Sequence, residues 1–298
     1  MNSVQYSPNG LQGSPLAFGF WRLLDWQLSQ AELASLVDQL LDWGITTLDH
    51  ADIYGGYSIE AIFGQVMTPA RRERMQLVTK FGICLETPAR PDIRRHCYNS
   101  SYQHVMASVE QSLRNFNTDY LDLLLLHRPD PFMDADDCAR AFIDLQQQGK
   151  VRYFGVSNHD VHQQQLLQSR LPFALQTNQL ELSVLEHKHF LDGTLAYAQQ
   201  QRQRPMAWSP LAGGAIFSPQ HPSFARLQPV WQRLEQQYQA SPLQLALAWL
   251  LAHPAGIVPV LGSGNRQRVQ EALGSLTIQL DRQDWFDLYQ AADGHDIP

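Results

Sequence analysis

The chain has 298 residues, 44% of them hydrophobic, and a formal net charge of −7, so it can bury a full core but lacks the basic footprint that nucleic acid or an anionic membrane surface requires. Its three cysteines, Cys84, Cys97 and Cys138, are too few for a disulfide framework and match no zinc spacing, which points to a reducing, cytoplasmic setting. No Lys or Arg precedes Arg22, so no signal peptide is expected, and the most apolar stretch, residues 243–251, is too short to span a bilayer.

Along the chain, short apolar runs alternate with longer segments of helical period. Strands are predicted at residues 16–18, 46–48, 77–79, 121–126, 151–156, 174–177, 205–208 and 257–260, the fourth being an aliphatic run interrupted by Asp122. Helices are predicted at 30–43, 59–67, 102–116, 135–148, 161–169, 193–201, 224–238, 242–253 and 266–273. Ser29-Gln-Ala-Glu32 fits a capping box, and Ser241-Pro242 fits an N-cap followed by proline in the first turn. Gly44 and Gly149 fall just past helix ends, where a positive φ is needed. Eight strands alternating with helices predict one α/β domain over 1–298, a (β/α)₈ TIM barrel. The rival doubly wound sheet would carry G-x-G-x-x-G after its first strand, and that pattern is absent.

Barrel active sites form at the C-terminal strand ends, and polar residues recur there. Asp49 follows strand two, with Tyr54 in the loop beyond it; Lys80 closes strand three and His127 closes strand four. Ser157-Asn158, Asn178-Gln179 and Trp208-Ser209 end the next three strands. Strands two to four are neighbours, so Asp49, Lys80 and His127 are expected to meet beside Tyr54. A phenol with a pKa near 10 donates a proton poorly, and the Lys80 ammonium is expected to lower it toward working pH. Asp49 would hold Lys80 charged, and His127 would orient a carbonyl oxygen. Such a group supplies the proton that carbonyl reduction requires. Singly, each residue has a plainer reading: a snorkelling lysine, a turn aspartate, a core histidine, a loop tyrosine. Their joint placement carries the argument.

The segments Gly44-Ile-Thr-Thr-Leu-Asp-His-Ala-Asp-Ile-Tyr-Gly55, Thr79-Lys80, Leu125-Leu-His127, Gly149-Lys-Val-Arg-Tyr-Phe-Gly-Val-Ser-Asn158, Gln176-Thr-Asn-Gln179, Trp208-Ser-Pro-Leu211 and Gly262-Ser-Gly-Asn-Arg-Gln-Arg268 resemble, in order, those of the aldo-keto reductases. The likeness is greater to bacterial short-loop members and runs from Leu16 to about Leu273. It implies a barrel closed at its base by an N-terminal hairpin between Val4 and Leu16, no metal, and a catalytic tetrad of Tyr54, Asp49, Lys80 and His127. It implies NADPH, with NADH less favoured, held by Ser157, Asn158 and Gln179 at the nicotinamide and Trp208 stacked on its ring. Ser209, Leu211 and Gly213 then match the pyrophosphate loop, and Ser263, Asn265, Arg268 and Glu271 the adenosine end. Three positions depart from the pattern: Trp208 replaces a commoner tyrosine, Gly262 a lysine, and Ala272 an asparagine.

Phe20, Trp21, Tyr57 and Phe132, with Trp208, are expected to line an aromatic pocket for a small carbonyl substrate. Other classes fit less well. Glu186, His187 and His189 cluster but lack metal-ligand spacing. A lyase using Lys80 as a Schiff base would not need Tyr54, and a non-catalytic cofactor sensor would not need the whole tetrad.

Overall fold

The aliphatic run Leu121–Leu126 forms a strand buried at every position, as a parallel strand covered on both faces must be. Its one charge, Asp122, is neutralised by Arg72 at 2.7 Å and Arg152 at 3.3 Å, and accepts the backbone N–H of Leu77. In the computed structural model, which describes residues 2–296, this is the fourth of eight barrel strands. They are β1 Ala17–Gly19, β2 Thr47–Asp49, β3 Gln76–Phe81, β4 Leu121–Leu126, β5 Val151–Ser157, β6 Asn178–Glu181, β7 Met206–Trp208 and β8 Val258–Leu261. Each pairs in parallel with its neighbours in the chain, and β8 returns to β1 through Val260↔Ala17, which closes the (β/α)₈ barrel.

The helices on the outside start and stop where local chemistry requires. Ser29 accepts from the Glu32 N–H while the Glu32 carboxylate accepts from the Ser29 N–H, fixing the start of Gln30–Asp42. Ser241 and Pro242 open Pro242–Leu251 in the same way. Loss of such a cap costs about 1 kcal/mol. Gly44 and Gly149 follow their helices at φ +82° and +70°. Tyr102–Phe116 buries Val105, Val109, Ser112, Leu113 and Phe116, one stripe at helical spacing, and ends at Asn117 in the left-handed region.

A hairpin of Val4–Gln5 and Gln12–Gly13 plugs the N-terminal end of the barrel. Its Ser7 hydroxyl and Leu11 N–H both donate to the Gln176 side-chain oxygen, at 2.7 and 2.9 Å. Tyr6 and Leu11 join Ala17, Val78, Leu123, Leu125, Met206, Val258 and Val260 in the barrel interior.

Besides short turns and ribbons in the loops, one strand and one long helix differ from the sequence reading. Strand six lies at Asn178–Glu181 rather than 174–177; the earlier segment approaches β5 through the Gln176 N–H and Thr177 carbonyl, but Gln176 is engaged in tying down the hairpin. A further helix, Arg282–Asp293, follows the predicted nine. It is held by a reciprocal pair in which the indole N–H groups of Trp249 and Trp285 each donate to the other's carbonyl at 2.9 Å, with the rings stacked 4.6 Å apart. Among the described residues, no helix is long and apolar enough to cross a membrane.

Candidate active site

Strand alternation aims the site. Side chains two apart on a strand share a face, so Thr47 and Asp49, Val78 and Lys80, and Leu123, Leu125 and His127 step from the plugged base to the open mouth. There Lys80 Nζ donates to both Asp49 oxygens at 2.9 and 2.8 Å, to the His50 carbonyl at 2.8 Å, and to the Tyr54 hydroxyl at 3.1 Å. Tyr54 reaches in from a one-turn helix, Tyr54–Tyr57, that begins a few residues past β2. Its ring meets the His127 ring edge-on at 6.0 Å. The four residues come together.

Their charges follow from burial and from one another. Lys80 is almost wholly buried, which disfavours its ammonium, but Asp49 and then Tyr54 outweigh that and raise its pKa. His127 is pushed well below the usual histidine range by burial, then by Lys80 and Arg128, so its imidazole is neutral, and its Nδ1 has no partner among the described residues. Tyr54 corrects the sequence expectation. Burial raises its pKa most, Lys80 pulls it back and Asp49 adds to the rise; the net direction is up, not down. The ammonium moderates the phenol without making it acidic at neutral pH.

A cleft of about 890 Å³ runs from this group across the barrel mouth. Beyond Tyr54 and His127, its wall carries Ser157, Asn158 and Gln179. The Gln179 amide N–H donates to Asp49 at 2.9 Å, Asn158 donates to Ser157 Oγ at 2.8 Å, and Trp208 Nε1 donates to Asn158 at 3.0 Å. Trp208, Ser209, Leu211 and Gly213 continue the wall, and Ser263, Arg268 and Glu271 line its far end. Gly213 and Gly214 have φ of +64° and +96°, and a Cβ on Gly214 would meet nothing within 4 Å, so bare backbone faces open space. A guanidinium with no carboxylate partner among the described residues, that of Arg268, stands at one end, and a buried proton-donor group stands at the other. The donor set and the volume of the cleft fit a dinucleotide.

Several expected residues sit elsewhere. Phe20 is fully buried and stacked on His50, ring to ring at 4.7 Å, so it is core and not pocket lining. Phe132 is 95% exposed and outside the cleft wall. Tyr57 is half-buried, its hydroxyl accepting from the Leu85 N–H at 2.8 Å, and does not line the cleft. Only Trp21 of the four lines it. Asn265 caps helix Arg266–Ala272 by accepting from the Gln267 and Arg268 N–H groups. His187 stacks on Tyr289 and His189 pairs with Asp192, so that cluster does not converge. The sequence reading passed over Arg22 and Arg128, both cleft-lining and without an ion-pair partner among the described residues. Arg128 lies 5.7 Å from the Trp208 ring centroid, and its position directly after His127 was the available signal.

The model of the aldo/keto reductase family matches residues 15–293. The chain is 50% identical over 301 residues to the oxidoreductase YcsN of Bacillus subtilis, covering 100% of both chains. It is 42% identical to a 6-dehydroglucose reductase of Agrobacterium fabrum, over 96% of this chain and 97% of that one. A thermostable aldo-keto reductase crystallised with the inhibitor epalrestat has the same fold, with a TM-score of 0.81 at 24% identity over 98% of this chain and 100% of that one. With a family match spanning the barrel and the loops at its mouth, the chain belongs to the aldo/keto reductases, oxidoreductases that act on carbonyl compounds with a nicotinamide cofactor.

Proposed function

We propose that the enzyme reduces small aldehydes and ketones to alcohols with NADPH, Tyr54 protonating the carbonyl oxygen. The observation that carries this reading is the Lys80 ammonium, held between Asp49 and the Tyr54 hydroxyl. When bound, the nicotinamide supplies hydride to the carbonyl carbon. Tyr54 keeps its proton at neutral pH because its pKa is raised. As the proton leaves, the tyrosinate forms 3.1 Å from a fixed positive charge, which stabilises it where charge develops. His127, neutral, offers one N–H to the same carbonyl oxygen. Asp49 keeps Lys80 charged and, through Gln179, ties the proton donor to the wall on which the carboxamide would rest.

The preference for NADPH over NADH rests on Arg268 and Ser263 at the far end of the cleft, where a planar guanidinium suits a phosphate dianion. Arg266 does not compete for that role, because it donates to Ser35, Gln39 and the Glu32 carbonyl. Among substrates, hydroxylated aldehydes are favoured over aromatic ones. Phe20 and Phe132 are absent from the cleft wall, Arg128 offers hydrogen-bond donors beside His127, and the 42% identical relative is named a 6-dehydroglucose reductase.

Replacing Tyr54 by Phe tests the reading. Turnover should fall by about 10²–10⁴-fold, the usual worth of a positioned general acid, while NADPH still quenches tryptophan fluorescence with unchanged affinity. Retention of turnover in that variant would assign the proton to another group.

A further inference from the structure

Two of the three cysteines face each other beside the cleft. A two-stranded antiparallel ribbon, Ile83–Cys84 against Cys97–Tyr98, springs from the end of β3, and Cys84 is directly opposite Cys97 in its register. Opposed residues of such a pair have Cα atoms about 5.5 Å or less apart, within the window of about 4.4–6.8 Å that a disulfide requires. Cys84 is buried and Cys97 exposed. The Cys84 thiol also lies 3.8 Å from His104 Nε2. The segment between the cysteines, residues 85–96, meets Tyr57 through the Leu85 N–H, which donates to its hydroxyl, and through the Arg90 guanidinium, 5.3 Å from its ring centroid, while Ile83 lines the cleft itself.

The geometry points to Cys84 and Cys97 as a reversible dithiol–disulfide site that takes a peroxide or a small-molecule disulfide as oxidant and, when oxidised, ties the two ends of segment 85–96 together at the rim of the cleft. Exposed Cys97 meets the oxidant first, because burial and then the facing Cys97 push the Cys84 thiol up to about 12. With peroxide, the Cys97 sulfur attacks one oxygen, the O–O bond breaks, and water leaves behind a sulfenic acid. The Cys84 sulfur then attacks Cys97, its proton passing by way of His104 to the leaving hydroxide; the S–O bond breaks, the S–S bond forms, and a second water departs. Two thiols lose two electrons and one peroxide gains them. An external dithiol reverses the change by exchange. Cys138, fully buried in helix Ala135–Gln147 away from the ribbon, takes no part.

The test uses the full chain treated with stoichiometric hydrogen peroxide and assayed for free thiols after denaturation. The count should fall from three to one and return to three with dithiothreitol, and a non-reducing tryptic map should join the Cys84 peptide to the Cys97 peptide within one chain. Cys84→Ser should leave Cys97 as a sulfenic acid that dimedone traps, whereas the parent chain should not be trapped. Cys97→Ser, at an exposed position, should keep both remaining thiols. A parent chain that retains three thiols, that dimedone labels at Cys97 as strongly as Cys84→Ser, or that cross-links only between chains would overturn the proposal.

Discussion

The two ends of the same barrel strands handle polarity in opposite ways. At the base, polar groups close on one another: Thr47 Oγ1 accepts from the Ser14 N–H at 3.1 Å, and Ser14 Oγ accepts from the Thr46 and Thr47 N–H groups at 3.1 and 3.0 Å. Two residues on, at the mouth, Asp49 meets an ammonium instead. There His127 Nδ1 has no partner, and Arg22, Arg128 and Arg268 have no carboxylate among the described residues. Buried polar groups left open lose stability unless something else satisfies them. The base is therefore built for the fold and the mouth for a ligand.

The sharpest test sets Lys80→Met against Leu123→Ala, both on inward-facing strand positions. Lys80→Met removes the charge that stabilises the tyrosinate and strands the Asp49 carboxylate with Gln179 as its one side-chain donor among the described residues. Turnover should fall by about 10³-fold or more, and urea titration should show a loss of about 3–5 kcal/mol, the cost of breaking a buried pair. Leu123→Ala should lose about 2–5 kcal/mol to a cavity with turnover per folded molecule unchanged. If Leu123→Ala lost turnover as steeply, base and mouth would not be separable.

The pH profile probes the mouth alone. Because the Tyr54 pKa is raised, the donor stays protonated through neutral and mildly alkaline pH, so kcat for reduction should be flat there. It should fall about tenfold per pH unit only above the ordinary tyrosine value of 10.0. Since His127 is neutral well below 6.5, no inflection should appear near that value. An alkaline fall centred near pH 8 would mean that Lys80 dominates burial. A smaller effect is expected at the other end of the cleft: Arg268→Ala should weaken NADPH by roughly 10–100-fold, a charge-assisted contact's worth, with NADH unaffected in the same fluorescence titration.

What the sequence showed, and what it hid, divides along the same line. Asp49, Lys80 and His127 were legible because each ends an apolar run and strand periodicity sets its face. Strand six was misplaced because Asn178-Gln-Leu-Glu181 looks like a loop; Gln179 turns into the polar mouth, and Asn178, buried on the opposite face, donates to the His159 carbonyl and the Gln164 side-chain oxygen. Phe20 and Trp21 are adjacent aromatics that point oppositely, one into the core and one to the cleft, and residue type alone gives no direction. Helix Arg282–Asp293 was missed because its anchoring is divided between a tryptophan pair, two small apolar contacts at Leu288 and Ala292, and a buried Asp284 that accepts from Arg233, Gln237 and Tyr238, with no long apolar stripe. The direction of the Tyr54 shift depends on how much water the fold removes from the phenol against how close it brings the ammonium, and neither quantity is local in the chain.

The base offers the mildest and most discriminating change. Gln176 sits just before β6, and its side-chain oxygen accepts from Ser7 and Leu11 while its amide donates to the Ala174 carbonyl at 2.8 Å. Gln176→Ala leaves the Ser7 hydroxyl and the Leu11 N–H without this acceptor, so unfolding should cost about 1–3 kcal/mol less, the penalty for a buried donor left unsatisfied. Gln179, three residues further on and within β6, donates to Asp49, and a slip of β6 would be felt there first. If the plug serves only the fold, kcat and NADPH affinity should match the parent at temperatures where both are folded. A fall in kcat at full folding would show that the hairpin sets the position of β6 and, through Gln179, the catalytic carboxylate at the opposite end of the barrel.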